Sequence, residues 1–176
     1  MATTLVLGGI RSGKSRFAES LLPASGPVRY LATGTSVHED EAWTQGLPHT
    51  GLGVPMAGRR PRQPISPRNC ARPTRCRRSS TISGWLTARM DARAAWDRGG
   101  EVVASDIDEL VDAISSYGSE LVIVSPEVGL TIVPATASGR LFADQLGALN
   151  QAVAQHCQRV LLVVAGQPLA IKGAAE

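Results

Sequence analysis

Aromatic side chains make up only 4% of the 176 residues, and cysteine occurs three times, at Cys70, Cys76 and Cys157. Thiols so few and so scattered build no disulfide framework, which argues against an oxidising compartment. No apolar run approaches the roughly 18 residues that a membrane span needs. The N-terminus lacks a basic lead and a cleavage-type tail, so no signal peptide is expected and the cytoplasm is the expected location. Acid is missing locally. Residues 46–80 contain eight arginines and six prolines but no Asp or Glu. Setting that stretch aside leaves 141 residues with 10 basic and 15 acidic side chains, a net charge of −5 against +3 for the whole chain. The basicity therefore belongs to one segment. Without interleaved aromatics that segment does not read as a nucleic-acid arm, and no nucleic-acid partner is expected.

What is present suits one α/β domain spanning residues 1–176. Thr3–Leu7 reads as a short buried strand, followed by a glycine-rich turn and a helix from about Lys14 to Leu22. Pro23–Pro27 reads as a turn, Val28–Ala32 as a second strand, and His38–Trp43 as the start of another helix. Gly46–Ser80 follows neither a strand nor a helix period, and residues from about 46 to 83 are expected to be irregular. Beyond it come a polar helix near Thr87–Trp96 and an acidic amphipathic helix near Ile107–Tyr117. Leu121–Ser125 is an apolar, β-branched interior strand. A helix over Ser138–Cys157, a buried strand over Val160–Ala165 and an edge strand over Leu169–Lys172 complete the pattern. Alternating β and α segments imply a mostly parallel sheet with helices on both faces.

Gly8, Gly9, Ile10, Arg11, Ser12, Gly13, Lys14 and Ser15 fit G-x-x-x-x-G-K-[ST] at every fixed position, between an apolar strand and a helix. Glycines let the backbone turn so that successive N–H groups face phosphate oxygens, and the helix start adds its positive end. Lys14 would reach the β- and γ-phosphates, and the Ser15 hydroxyl would ligate Mg²⁺. Such a loop identifies a nucleotide site but not a reaction, because kinases, GTPases, ATPases and nucleotidyl carriers share it.

Four ordered segments narrow the choice: GGIRSGKSRFAES (8–20), YLAT (30–33), LVIVSPEVGLTIVP (121–134) and RLFADQLGALNQ (140–151). Together they resemble the bifunctional adenosylcobinamide kinase/adenosylcobinamide-phosphate guanylyltransferase family over residues 3–43 and 84–173. Pro126 and Thr131 stand where the family pattern has Asn and Gly, departures expected to loosen that loop. The resemblance implies a RecA-like P-loop domain, assembled as a homotrimer, that acts twice. A nucleoside triphosphate (ATP or GTP, with Mg²⁺) phosphorylates adenosylcobinamide. A histidine then takes GMP from GTP and passes it to adenosylcobinamide phosphate. A simple P-loop small-molecule kinase and a non-catalytic nucleotide-binding subunit are the alternatives. Thr33, Gly34 and Thr35, after the second strand, and Glu127, after the third apolar run, are candidate nucleotide contacts or plain strand-end turns. Arg140, Asp144, Asn150 and Gln151 read equally as functional or as helix-surface residues. His38 and His156 read as solvated, and Cys157 as a buried small side chain.

The family's R-I-x-x-H-x-x-x-R-P-x-x-W-x-T-x-E segment is not legible in residues 46–83. Regrouping codons by one base restores it on paper. The junction of His49 and Thr50 then permits only His or Tyr, and the following junctions permit R-A-R-R-P-D-G-W-T-T-P-E-T. The junctions from Ser80 to Gly84 permit D-D-L-G, leading into Trp85 in the normal frame. Residues from about 46 to 83 are therefore expected to be out-of-frame translation, through a sequencing error or a compensated frameshift, with a genuine family-atypical insertion as the alternative. His49 is the candidate nucleophile, one position before the regrouped histidine.

Overall fold

A computed structural model describes residues 2–22, 28–31 and 77–173, with strands 28–31 and 77–81 described by their main chain alone. Six strands form one sheet: β1 (Thr3–Gly8), β2 (Val28–Leu31), β3 (Arg77–Thr81), β4 (Leu121–Pro126), β5 (Arg159–Val164) and β6 (Gln167–Lys172). Their order is β2-β3-β4-β1-β5-β6, and only β6 runs antiparallel to its neighbour. The helices are α1 (Lys14–Ser20), α2 (Ile82–Ala92), α3 (Ala95–Arg98), α4 (Ala104–Ser115) and α5 (Ala137–His156), with a 3₁₀ turn at Gly100–Val103.

The two-residue pleat explains how one sheet serves two cores. Leu5 of β1, Leu121 and Ile123 of β4 and Val160 of β5 pack with Leu86, Met90, Leu110, Leu146 and Leu149 of α2, α4 and α5. Their neighbours Val6, Val122, Val124 and Val163 point to the other face, where Ala18 and Phe17 of α1 cover them. The chain leaves β1 through α1 toward β2, whereas β4 reaches β5 through α5 on the opposite face. Crossovers in opposite directions with one handedness must use opposite faces. The β1 loop thus lies where ligands gather in such sheets.

Among the described residues the expected elements are present with shifted ends. The polar helix starts earlier, at Ile82, and stops at Ala92, because Ala94 takes a left-handed φ of 52° before α3. Asp106, buried in the first turn of α4, accepts from Arg93 Nε (2.8 Å) and Nη2 (3.0 Å) and bolts the α2–α3 corner to α4. One expectation is overturned. Residues 46–83 were expected to be irregular throughout, yet Arg77–Thr81 is a strand between β2 and β4, and α2 begins at Ile82. Parallel ladders bond through main-chain N–H and C=O, which an apolar-poor string also carries. The edge of β4 is therefore covered on both sides. Residues 46–76, Pro23–Pro27 and His38–Trp43 lie outside the described residues.

Cys157, at the end of α5, is 1% exposed, and burial pushes its thiol up to about 11 from an ordinary 9.0. Between those two values the folded chain holds a proton that the unfolded chain has released. Stability should thus be full below pH 9 and fall by up to about 1.4 kcal/mol per pH unit as pH rises toward 11. Urea unfolding of a Cys70→Ser/Cys76→Ser variant at pH 8 and 10.5, against the same chain with Cys157→Ala, measures the thiol's share of that loss.

Candidate functional site

β1 ends on Gly8, and the chain turns back across the carboxyl end of the sheet. A side chain at Gly8 would strike the Ser12 hydroxyl and come within 2.7 Å of the Val163 carbonyl oxygen of β5, so only glycine lets the loop pass there. Ser12 N–H donates to the Gly9 carbonyl (3.3 Å), closing the turn, and Ser12 Oγ accepts from the Lys14 N–H (3.4 Å). Arg11 (φ 57°) and Gly13 (φ 91°) take left-handed conformations. For Arg11 that conformation costs roughly 1–2 kcal/mol, a strain held by the surrounding turn. Ile10, at the tip, is 91% exposed.

Gly13 then caps α1, whose first residues are Lys14 and Ser15, both half-buried. The Lys14 ammonium folds back over the loop and donates to the Gly9 carbonyl (3.1 Å). Burial pushes its pKa below the usual lysine value, because the cation gives up water without gaining a carboxylate. A partly dehydrated ammonium at the first turn of α1 is the electrostatic setting that attracts a phosphate group.

β4 supplies the adjacent wall. Its register sets Pro126 beside Gly8, and the next N–H, of Glu127, donates to the Gly8 carbonyl (3.1 Å). The Glu127 carboxylate accepts from the Gly129 N–H (2.7 Å), and the Thr131 hydroxyl donates to the Val128 carbonyl (3.0 Å). These bonds tie the loop that Pro126 and Thr131 were expected to loosen. Leu130, Ile132 and Val133 in the same loop are exposed.

Gly8 to Ser15 and Glu127 are thus brought together. Thr33, Gly34, Thr35 and His49 lie outside the described residues. Arg140, Asp144 and Gln151 lie exposed on α5, as does His156. Asn150 does not. It is 5% exposed, accepts from Ser125 Oγ (2.6 Å) and donates to the Pro126 carbonyl (3.1 Å), pinning the end of β4 that carries Glu127. Its place on the apolar face of α5 among Leu146, Leu149 and Val153 signals burial but not these partners. Replacing Asn150→Leu leaves the Ser125 hydroxyl and the Pro126 carbonyl unpaired in the interior. It should cost about 1–3 kcal/mol for each group left without a partner, measured as a lower urea midpoint with unchanged slope.

Comparison with known proteins places the chain in a family. The family described as cobinamide kinase / cobinamide phosphate guanyltransferase matches residues 4–49 and 74–171. The chain belongs to this family. Its first matched stretch contains the whole phosphate loop and ends on His49, and residues 50–73 fall between the two stretches. The bifunctional adenosylcobalamin biosynthesis protein CobP of Pseudomonas aeruginosa is 32% identical over 183 residues, covering 96% of each chain. The corresponding CobU of Escherichia coli K12 is 29% identical and covers 96% of this chain and 98% of its own. A solved protein of Pyrococcus horikoshii OT3 shares the fold, with a TM-score of 0.53 at 9% identity over 99% of this chain and 88% of that one. Among the described residues no helix is long and apolar enough to cross a membrane.

Proposed function

We propose that this chain carries the two activities for which its family is described, phosphorylating adenosylcobinamide and then transferring GMP onto the phosphate. In the first step the hydroxyl oxygen of the substrate bonds to the γ-phosphorus of a nucleoside triphosphate. The bond to the bridging oxygen breaks, the diphosphate leaves and the hydroxyl proton passes to water. Lys14 and the loop N–H groups offset charge on the transferring group. In the second step an imidazole nitrogen attacks the α-phosphorus of GTP and pyrophosphate departs. A phosphate oxygen of adenosylcobinamide phosphate then displaces the imidazole to give adenosylcobinamide-GDP.

The observation that carries the reading is the run Gly8–Ser15 at the carboxyl end of β1, with Lys14 half-buried above it. Mg²⁺ fits the donor set, since Ser15 offers one hard oxygen and Mg²⁺ prefers a few protein oxygens together with phosphates and water. When bound it would neutralise charge on the phosphate oxygens. Thr33, Gly34, Thr35 and Glu127 are the further nucleotide contacts in this reading. A homotrimer in the cytoplasm completes it, on the family resemblance.

His49 is the nucleophile of this reading, and the gap in the family match after it favours a second part. An imidazole accepts a nucleotidyl group only when its other nitrogen is oriented and the α-phosphate lies in line. Gly46, Pro48, Gly51 and Gly53 are the neighbours of His49 in the sequence, and Gly53, Val54, Ala57, Arg59 and Pro61 stand where the family pattern sets Arg, Pro, Trp, Thr and Glu. Guanylylation is therefore the weakened half of the enzyme. Incubation with α-³²P-GTP and Mg²⁺ tests the assignment: an acid-labile covalent label supports it. Phosphorylation without label would leave a simple kinase, and binding without either reaction a nucleotide-binding subunit.

A further inference from the structure

The hairpin between β5 and β6 approaches the phosphate loop. Val164 pairs with Gln167, so the turn holds only Ala165 and Gly166, both left-handed at φ 50° and 78°. That is the two-residue turn whose twist matches the flanking strands. Its Gly166 N–H donates to the Ser12 carbonyl of the phosphate loop (2.8 Å). A Cβ on Gly13 would lie 3.1 Å from the Gly166 Cα, so a side chain at position 13 would crowd the hairpin backbone as well as strain the left-handed φ of 91°. The hairpin is anchored at its far end, where Lys172 Nζ donates to the Ala154 and Gln155 carbonyls at the end of α5 (3.0 and 2.9 Å).

The consequence follows from peptide planarity. The bond between Ser12 and Gly13 is trans, so when its carbonyl points at the hairpin its N–H must point the opposite way. Among the described residues the Gly13 N–H meets no acceptor. We propose that the Ala165-Gly166 turn is a positioning element for the nucleotide. By holding the Ser12 carbonyl, it aims the Gly13 N–H at the phosphates beyond the first. The inference rests on the phosphate site proposed above. It adds that the C-terminal hairpin sets the donor geometry of that site.

The test compares binding of mant-GTP and mant-GMP, with Mg²⁺, in three variants of the full chain. Gly166→Pro removes the donor and cannot take φ 78°, whereas Gly166→Ala keeps the donor and its Cβ meets nothing within 4 Å, so that backbone strain at φ 78°, present with and without ligand, is its only cost. Loss of one bond that serves an anion should weaken mant-GTP binding about tenfold in Gly166→Pro. Mant-GMP should change by less than about twofold, and Gly166→Ala should bind mant-GTP near the wild-type level. Equal weakening of both ligands, or none, while Lys14→Ala lowers mant-GTP binding, would overturn the inference alone. Unchanged mant-GTP binding in Lys14→Ala would overturn the phosphate site itself. A measurement on the unaltered chain covers the case in which Gly166→Pro fails to fold. The Gly166 amide should exchange slowly with and without GTP, and the Gly13 amide should become protected only with GTP. Rapid exchange at Gly166, or an unprotected Gly13 with GTP bound, would overturn the proposal.

Discussion

Replacing Lys14 by alanine is expected to lower corrinoid phosphorylation by about 10²–10³-fold, the usual loss when one charge-stabilising donor is removed from a transferring group. The side chain sits over the phosphate loop within 3.1 Å of the Gly9 carbonyl and is already partly stripped of water. A cation so placed contributes most when negative charge spreads over the transferring phosphoryl oxygens, so the loss should appear in kcat as well as in kcat/KM. Stability should change little, because Lys14 makes no ion pair and no core contact among the described residues. Steady-state kinetics with a melting curve as control provides the measurement. A Lys14→Ala protein working at the wild-type rate would remove the phosphate-loop assignment.

The second large effect concerns the guanylyl half-reaction. The chain as it stands should form little GMP-histidine, because the Arg-Pro, Trp, Thr and Glu of the family pattern do not follow His49 at the family's spacings. A version rebuilt with H-R-A-R-R-P-D-G-W-T-T-P-E-T after residue 48 and D-D-L-G before Trp85 should recover it. General experience with aligned against unaligned reacting groups puts the gain at about 10²-fold or more. The readout is label incorporation from α-³²P-GTP in the two proteins under identical Mg²⁺. Equal labelling, lost on His49→Ala in the unaltered chain, would make His49 the working nucleophile and defeat the out-of-frame reading. Because β3 occupies its place beside β4 in the unaltered chain, the comparison reads chemistry rather than a missing strand.

Much of the architecture follows from short-range pattern. Leu121–Ser125 had to be an interior strand because a β-branched apolar run with no polar side finds partners only inside a sheet. The helix over residues 137–156 announced itself through Leu146, Leu149 and Val153 on one face. The segment at 77–81 was illegible for the opposite reason. Its sequence, RRSST, carries no apolar period, and its strand is specified by the free ladders of β2 and β4 on either side. Asn150 was legible as a position but not as a role, since the partners that use its amide, Ser125 and Pro126, are 24–25 residues away in the chain.

The run Gly8–Ser15 by itself determined that this protein has a phosphate loop, because that chemistry depends on backbone freedom and residue types within eight consecutive positions. The resemblance of three further segments determined the family by sequence alone. Only the tertiary structure decided what holds the loop in shape. Gly8 must be glycine because of Val163, Gly13 packs against Gly166, and the Gly8 carbonyl is paired because Glu127 follows β4. Those partners come from strands more than a hundred residues away in the chain. Parallel pairing of β4 and β5 on either side of β1 brings them within bonding distance, and no local pattern encodes that convergence.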